Sequence, residues 1–315
     1  MAKTRIAING FGRIGRAFFK VAHERPELEI VAVNDLGNAE NLAYLLKYDS
    51  AYGRYGKEVK AEKDALIIGG ARVAFIQEKD PTKLPWGEHE IDIVVESTGF
   101  FTAFDKAKVH LDAGAKHVVI TAPAKGESTP GLEAATVLMG INEEHLKTCQ
   151  ITSNASCTTN AVSPVIQIMH ETIGVEKAIL STTHAMTGSQ RVVDSPNEKD
   201  FREGRSASHN IIPTSTGAAL AVTKVITDLA GKFDGISLRV PVITGSIADT
   251  TFIAKRNTTV EEVNDIFRKA AKEKRWEKLL AVAEDPLVSS DIVGDPHAAI
   301  IDLEMTRVVD GNLVK

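Results

Sequence analysis

The sequence predicts an α/β domain with a parallel sheet, followed by an α+β domain with an antiparallel sheet. In the first half, apolar runs of strand length show no polar alternation and are separated by helical segments, which is typical of strands buried on both faces of a parallel sheet. In the second half, strand-like and helical segments are grouped, which favours an α+β domain. We expect the first domain to span residues 1–156 and the second to span residues 157–315.

The composition is that of a globular protein. The 315 residues are enough for two domains, and fractions of 43% hydrophobic and 25% charged residues exclude a disordered or fibrous chain. A net charge of −5 gives no electrostatic reason to expect nucleic acid or membrane as a partner. No apolar run reaches the roughly 20 residues of a membrane span, and no signal-peptide core precedes the first strand. With two cysteines and no Cys-x-x-Cys pair, we expect a cytoplasmic protein without disulfides.

A strand-like run at residues 4–9 passes directly into a glycine-rich turn. Gly10 permits the tight turn, Gly12 lets the backbone approach a pyrophosphate, and Gly15 allows close packing of helix on strand. The next strand-like run ends on Asp35, where a carboxylate can accept hydrogen bonds from the adenosine ribose and repel a 2′-phosphate. Together these features predict a Rossmann-type dinucleotide-binding domain that prefers NAD to NADP. The alternative is a glycine turn without a ligand.

The remaining elements of the first domain follow from periodicity. The helix after the glycine turn carries apolar residues spaced as one face, namely Ile14, Phe18, Val21 and Ala22. A further helix is predicted at residues 103–113. The other predicted strands are residues 29–34, 71–76, 91–96, 117–123, 136–141 and 150–153.

Cys157 is the candidate nucleophile. It follows a short strand and precedes an amphipathic helical pattern that Pro164 should bend. A cysteine at a helix N-terminus has a lowered pKa and a larger thiolate fraction, which suits a nucleophile. The alternative is a buried structural cysteine, which is how we interpret Cys149.

His184 is the candidate base, because a strand-like run at residues 177–183 leads directly to it. A hydrogen-bonded histidine at a sheet edge is the alternative. The rest of the second domain is predicted as strands at 235–240, 246–254 and 298–309, helices near 217–229 and 260–274, and a hairpin turn at 310–312.

Four segments resemble phosphorylating glyceraldehyde-3-phosphate dehydrogenases, and the resemblance extends over essentially the whole chain. The most specific is the central octapeptide, and the four occur in the order expected of that family. They are Ile8-Asn9-Gly10-Phe11-Gly12-Arg13-Ile14-Gly15-Arg16, Val33-Asn34-Asp35, Ser153-Asn154-Ala155-Ser156-Cys157-Thr158-Thr159-Asn160 and Asn210-Ile211-Ile212-Pro213.

The resemblance implies a covalent mechanism of glycolysis and gluconeogenesis. Cys157 would attack the aldehyde of glyceraldehyde 3-phosphate, and His184 would activate the thiol and stabilise the oxyanion together with the backbone N–H of Cys157. The hemithioacetal would give hydride to NAD. Inorganic phosphate would cleave the resulting thioester to 1,3-bisphosphoglycerate.

The resemblance also implies the binding sites, none of which involves a metal. Thr187 and Arg239 match the pocket for the substrate phosphate, and Arg205 matches a further basic residue nearby. Ser156, Thr158, Thr216 and Gly217 match the site for the attacking phosphate. The residues that match cofactor contacts are Gly10, Phe11, Gly12, Arg13, Ile14, Asp35, Lys79 and Thr121. Residues 186–209 would form a long loop of a homotetramer.

Two departures from the family pattern leave alternatives open. Met186 and Ser189 replace residues common near the substrate, so erythrose-4-phosphate dehydrogenase is an alternative activity. The family's last strand and helix find no counterpart after Lys315, so we expect weaker cofactor binding than in the family. A catalytically inactive NAD-binding scaffold is therefore a second alternative.

Overall fold

The computed structural model describes residues 2–126, 131–198 and 200–315. The chain divides into two compact units: the first contains the described residues up to Val137 together with Glu143–Ala155, and the second contains Leu138–Asn142 and Ser156–Lys315. Among the described helices, none combines the length and the apolar character that a membrane span requires.

The first unit alternates strands and helices. Its strands are β1 Thr4–Asn9, β2 Leu28–Asn34, β3 Tyr48–Asp49, β4 Gly53–Arg54, β5 Val59–Ala61, β6 Ala65–Ile68, β7 Ala71–Ile76, β8 Ile93–Glu96, β9 His117–Ile120, β10 Ala134–Thr136 and β11 Ile151–Ser153, and its helices are α1 Arg13–Ala22, α2 Ala39–Lys47, α3 Phe104–Ala107 and α4 Val109–Asp112.

The large sheet of this unit has, within the described residues, the order β10-β11-β9-β8-β1-β2-β7-β6-β5. Neighbours from β10 to β7 are parallel, whereas β6 and β5 add an antiparallel edge. Both faces are covered, because Ile8 packs in one core cluster and its neighbour Ala7 in another. This explains the absence of polar alternation and confirms the predicted α/β fold.

Parallel pairing aligns the carboxyl ends of three strands. Asn9 at the end of β1 is in register with Asn34 at the end of β2 and with Glu96 at the end of β8. The loops that follow these strands therefore begin at one edge of the sheet, which is where open parallel sheets bind ligands.

Two local predictions for the first unit are wrong. Helix α1 buries Gly15, Arg16, Phe19 and Ala22, whereas Ile14 and Val21 are exposed. The strand predicted at 136–141 ends at Thr136 as β10. The helical stretch predicted at 103–113 is confirmed as the two short helices α3 and α4, which Lys108 separates.

The main part of the second unit begins with a helix and continues with a sheet. Its strands are β12 Val175–Ala185, β13 Ile212–Ser215, β14 Phe233–Val240, β15 Ser246–Ala254, β16 Leu280–Ala283, β17 Ala299–Asp302, β18 Val308–Val309 and β19 Leu313–Val314, and its helices are α5 Cys157–Thr172, α6 Ala218–Val225 and α7 Val260–Ala270.

The main sheet of the second unit has the order β13-β14-β12-β15-β19-β18 within the described residues. Its neighbours are antiparallel except for β12 and β14, which are parallel. That parallel register places His184 beside Arg239. Residues of α5, α6 and α7 form the core with the sheet, including Ile166, Val222 and Phe267.

The second unit also corrects one prediction. The strand predicted at 298–309 is interrupted by a 3₁₀ turn at Leu303–Met305, since the side chain of Asp302 caps that turn. Helix α5 continues through Pro164, and the bend expected there stays a prediction. The turn predicted at 310–312 is correct: Asp310 and Gly311 have φ of 49° and 76°, and Val309 pairs with Leu313 across it.

Residues 138–142 belong to the second unit although they precede its main part in sequence. Ile141 packs against the core of that unit, and Arg275 Nε donates to the carbonyl of Gly140 at 2.6 Å. A Cβ on Gly140 would lie 2.8 Å from the ring of Trp276. The close approach to this indole therefore requires glycine.

Candidate active site

The glycine-rich turn of the first unit leaves open space above the start of α1. Gly10 has a φ of 93°, and a Cβ there would lie 2.7 Å from the amide nitrogen of Thr98. A Cβ on Gly15 would lie 2.1 Å from the carbonyl oxygen of Gly10. At Gly12, in contrast, a Cβ would have no described heavy atom within 4 Å. The outer glycines thus allow close packing, whereas Gly12 leaves room for a ligand.

The start of α1 suits an anion. The helix begins at Arg13, and its N-cap residue Gly12 offers no side-chain hydrogen bond. The first N–H groups of a helix lack intrahelical partners, so they are available to a phosphate. Arg13 and Ile14 lie in this exposed first turn, where the backbone can meet a pyrophosphate.

Asp35 follows β2 and links the glycine turn to it. Its Oδ2 accepts a hydrogen bond from the backbone N–H of Phe11 at 2.6 Å, and its Oδ1 accepts one from Gly37 at 2.8 Å. Each carboxylate oxygen can accept a second hydrogen bond, so the half-buried Asp35 can still bind ribose hydroxyls. Its negative charge opposes a 2′-phosphate. These residues fit NAD.

The other two predicted cofactor residues lie after strands of the same sheet. Thr121 follows β9, and both its N–H and its hydroxyl donate to the carbonyl of Glu96, at 3.0 and 3.1 Å. Lys79 is exposed in the segment after β7.

A buried polar cluster lies at this edge, and the sequence analysis missed it. Glu96 Oε2 accepts from Asn9 Nδ2 at 2.6 Å and contacts His110 Nε2 at 3.0 Å. The indole N–H of Trp86 donates to His110 Nδ1 at 3.1 Å, and Thr98 N donates to Glu96 Oε1 at 2.8 Å. Because an indole can only donate, Nδ1 of His110 accepts and Nε2 carries the proton. The participants are far apart in sequence, and no spacing signal connects them.

In the second unit, Cys157 is the first residue of α5. Ser156 is the N-cap, and its Oγ accepts from the backbone N–H of Thr159 at 3.0 Å. The helix therefore starts at a defined position, with the Cys157 thiol exposed in the first turn. The positive end of the helix dipole favours a thiolate there.

His184, near the end of β12, faces the thiol. Cys157 Sγ lies 3.4 Å from His184 Nε2, and the imidazole is half-buried. The hydrogen bond to His184 lowers the pKa of the Cys157 thiol below its ordinary value, and Thr158 adds to this effect. Strand β12 and helix α5 thus form a thiol–imidazole pair.

Arg239 completes this group from β14. Its Nη1 lies 2.5 Å from His184 Nδ1 and donates to the carbonyl oxygen of Ala185 at 3.3 Å. Burial lowers the pKa of Arg239, whereas the charges of Cys157 and Glu203 raise it. The guanidinium retains its charge, since its pKa remains far above neutrality in proteins.

The other predicted anion-binding residues have partners within the second unit. Thr187 donates from its hydroxyl to Gln190 Oε1 at 3.1 Å, and Arg205 Nε donates to Asp194 Oδ2 at 2.9 Å. Thr158 is buried in α5. Thr216 Oγ1 accepts from the backbone N–H of Ala218 at 3.2 Å.

Gly217 is the N-cap of α6 and offers no side-chain cap. The contacts therefore bring together Cys157, His184 and Arg239, while Thr187 and Arg205 are hydrogen-bonded elsewhere in their loop. A thiol, an imidazole and a guanidinium in contact can perform covalent catalysis on a carbonyl whose substrate carries an anion.

Comparison with known proteins agrees with both units. The profile of the glyceraldehyde 3-phosphate dehydrogenase NAD binding domain matches residues 4–104, and that of the C-terminal domain matches residues 156–315. The chain is 45% identical to glyceraldehyde-3-phosphate dehydrogenase 2 of Bacillus subtilis, over 99% of this chain and 90% of that protein. It is 46% identical to glyceraldehyde-3-phosphate dehydrogenase of Clostridium acetobutylicum, over 98% of this chain and 90% of that protein. Glyceraldehyde-3-phosphate dehydrogenase 3 of Saccharomyces cerevisiae is 45% identical to this chain, over 95% of this chain and 88% of that protein. With a parallel-sheet unit that fits NAD and a thiol–imidazole pair in the other unit, the chain belongs to the glyceraldehyde-3-phosphate dehydrogenase family.

Proposed function

We propose that the chain oxidises glyceraldehyde 3-phosphate to 1,3-bisphosphoglycerate, with NAD as hydride acceptor and inorganic phosphate as second substrate. The observation that supports this most directly is the 3.4 Å contact between Cys157 Sγ and His184 Nε2 at the start of α5. Family membership supports the identity of the substrates.

The residues of the chain divide the reaction into two covalent stages. His184 Nε2 accepts the thiol proton, and Cys157 Sγ forms a bond to the aldehyde carbon as the carbonyl π bond breaks. The proton then passes from His184 Nε2 to the carbonyl oxygen, which gives a hemithioacetal and leaves the imidazole free to act as a base again. His184 then accepts the hydroxyl proton of the hemithioacetal as the carbon loses hydride, which leaves a thioester on Sγ. NAD, when bound, supplies the hydride acceptor. First-turn N–H groups of α5 stabilise the developing oxyanion.

Phosphate then cleaves the thioester. A phosphate oxygen forms a bond to the acyl carbon while the bond to Sγ breaks, and the sulfur leaves as the thiolate that the helix start and His184 stabilise. In this proposal Arg239 and Thr187 bind the substrate phosphate, with Arg205 nearby. Ser156, Thr158, Thr216 and Gly217 bind the attacking phosphate.

We further propose a cytoplasmic homotetramer. The loop at 186–209 exposes large apolar side chains, including Val192 (76%), Val193 (68%) and Phe201 (84%), which supports contact with a second copy of the chain. The two cysteines are free thiols, which supports a reducing compartment. Light scattering tests the assembly: a monomer at micromolar concentration would contradict it.

The central experiment is NADH formation from glyceraldehyde 3-phosphate, with and without inorganic phosphate. We expect phosphate-dependent NADH in the wild type and none with Cys157→Ser, because a serine hydroxyl at this site is a far weaker nucleophile. Cys149→Ala is the matched control, since Cys149 is a buried cysteine of the first unit. Its activity should persist.

The same assay separates the alternatives. Faster NADH formation from erythrose 4-phosphate would assign the second aldehyde phosphate as the substrate. A chain that binds NAD but forms no NADH from either substrate would be a scaffold, and our proposal would be wrong.

A further inference from the structure

His184 Nδ1 has two neighbours that require opposite states of this nitrogen. Arg239 Nη1 lies 2.5 Å away, and the carbonyl oxygen of Ala185 lies 2.7 Å away. A guanidinium only donates hydrogen bonds, and a carbonyl only accepts them. A single ring nitrogen carries either a lone pair for Arg239 or a proton for Ala185. The two hydrogen bonds therefore exclude each other.

The contact with Arg239 determines what His184 can do for Cys157. While Nδ1 accepts from Arg239, a neutral imidazole carries its proton on Nε2, which faces Cys157 Sγ. In this state Nε2 donates to sulfur and cannot accept a proton. With Nδ1 protonated and bonded to Ala185 O instead, the lone pair of Nε2 faces the sulfur. Only this second state is a base.

An anion can draw Arg239 away from His184. The guanidinium is half-buried, and its Nε has no hydrogen-bond partner among the described residues. The charged groups that face Arg239 are Cys157 on α5 and Glu203, whose Oε1 already accepts from Thr214. A phosphate offers several acceptor oxygens at once and binds a guanidinium through more than one N–H. It would compete well against a single imidazole nitrogen.

We propose that binding of the substrate phosphate by Arg239 switches His184 from an Nε2–H donor to an Nε2 acceptor, so that the base forms only when the phosphate is in place. This inference rests on the function proposed above. In the switch, Nδ1 takes a proton from water and donates to Ala185 O, while Nε2 loses one proton to water. The charge of the imidazole is unchanged, and no electrons are transferred.

Arg239 thereby becomes a positioning residue for His184 as well as an anion ligand. An aldehyde without a phosphate would meet an imidazole in the donor state, in which proton removal from the thiol or the hemithioacetal is blocked. Discrimination between phosphorylated and unphosphorylated aldehydes then arises in the chemical step in addition to binding.

Nitrogen NMR of the full chain labelled with ¹⁵N-histidine tests the switch without NAD or aldehyde. The probe is glycerol 3-phosphate, which carries the phosphate but no carbonyl group, and His184→Asn assigns the signals. We expect the proton on Nε2 in the free protein and on Nδ1 at saturating probe. The ratio of the two forms should change by about tenfold, because a charge-assisted hydrogen bond decides between them.

Two variants accompany the titration. Arg239→Met removes the donor, so we expect the proton on Nδ1 with and without the probe. Arg202→Met, at an exposed arginine of the same unit, is the matched control and should respond like the wild type. An Nε2 proton that persists in Arg239→Met, or a wild-type tautomer that does not respond to bound probe, would overturn the inference. The wild-type titration needs a variant only for the assignment of the His184 signals.

This outcome is separable from that of the proposed function. A wild type that forms NADH yet keeps one tautomer refutes the switch alone. A wild type that switches but forms no NADH from glyceraldehyde 3-phosphate refutes the function, and with it the catalytic meaning of the switch.

Discussion

Two histidines of this chain have the same pattern of hydrogen bonds and different surroundings. In the first unit, an N–H of Trp86 donates to His110 Nδ1, and His110 Nε2 contacts Glu96. In the second unit, an N–H of Arg239 approaches His184 Nδ1, and His184 Nε2 contacts Cys157. In both, the partner at Nδ1 places the proton on Nε2.

The difference lies in exposure and in the number of partners. His110 and Trp86 are fully buried, and Glu96 is 2% exposed. Among the described residues, no second group competes for His110 Nδ1. His184, in contrast, is half-buried beside an exposed thiol, and Ala185 O competes for its Nδ1. The same hydrogen-bond pattern serves structure where each ring nitrogen of the histidine has one partner. It serves chemistry where one ring nitrogen has two competing partners and a ligand can approach.

Replacing the exposed histidine should give the largest effect, and on activity. His184→Asn is expected to lower kcat by about 10²–10⁴-fold, the usual contribution of a general base. The free energy of unfolding should change by about 1 kcal/mol or less. Steady-state NADH formation and urea unfolding measure the two quantities. A large loss of stability would mean that His184 is structural after all.

Replacing the buried histidine should reverse this result. His110→Phe preserves volume but leaves the buried Trp86 N–H without its partner and Glu96 Oε2 with only the hydrogen bond from Asn9. This should lower the free energy of unfolding by about 3 kcal/mol. Activity per folded molecule should remain within about tenfold of wild type, because the thiol–imidazole pair is formed by residues of the second unit and His110 belongs to the first. Urea unfolding followed by assays below the transition checks both. An unfolding free energy equal to that of the wild type would show that the buried hydrogen bonds of His110 do not stabilise the fold.

The pH dependence of thiol reactivity sharpens the contrast. Because a hydrogen bond to His184 lowers the pKa of Cys157, the rate of alkylation by iodoacetamide should stay high below the pH at which an ordinary thiol loses reactivity. The folded pKa lies below the unfolded one, so this pair stabilises the fold above the unfolded pKa, and the contribution is lost as pH falls through the folded pKa. His184→Asn should shift the midpoint upward, and His110→Phe should not. A midpoint that is unchanged in His184→Asn would refute the pairing.

The smallest effect concerns a single donor of the buried cluster. The hydroxyl of Thr98 donates to Glu96 Oε1, which also accepts from the backbone N–H of the same residue. Thr98→Val replaces the hydroxyl by a methyl group, which also removes the acceptor of the exposed Phe100 N–H. We expect a loss of about 1 kcal/mol, clearly less than for His110→Phe. Urea unfolding of the two variants side by side measures the difference. Equal losses of unfolding free energy in the two variants would contradict the expectation that the remaining hydrogen bond to Glu96 Oε1 compensates for the missing hydroxyl.

Local patterns predicted much of the fold. The glycine turn with a strand before it and Asp35 after the next strand predicted β1, α1 and β2 correctly, because the close contact of Gly15 with the carbonyl of Gly10 lies within the turn itself. The buried face of α1 was wrong for a related reason. Gly15 packs against the carbonyl of Gly10, and this contact sets the rotation of the helix in place of the apolar residues Ile14 and Val21.

The sequence predicts those parts of the site that depend only on residues nearby in the chain. Cys157 at a helix start and His184 near a strand end follow from flanking patterns. The contact of His184 with Arg239 depends on the parallel register of β12 and β14, which are separated by about fifty residues of chain. The hydrophobic periodicity of two strands does not indicate which of their residues pair. The Glu96 cluster was missed for the same reason, since Asn9, Trp86 and His110 meet only once the sheet has formed.

The placement of residues 138–142 has a consequence for how the polypeptide can be divided. Because Gly140 and Ile141 pack on the second unit, a cut before Ser156 would remove a piece of that unit's own surface. A separate 156–315 fragment should expose the indole of Trp276, which is 2% exposed in the intact chain. Its tryptophan fluorescence should be red-shifted and should recover when a peptide of residues 138–142 is added. The unit that carries the chemistry is therefore discontinuous in sequence, and a gene cut between the two halves would not encode it whole.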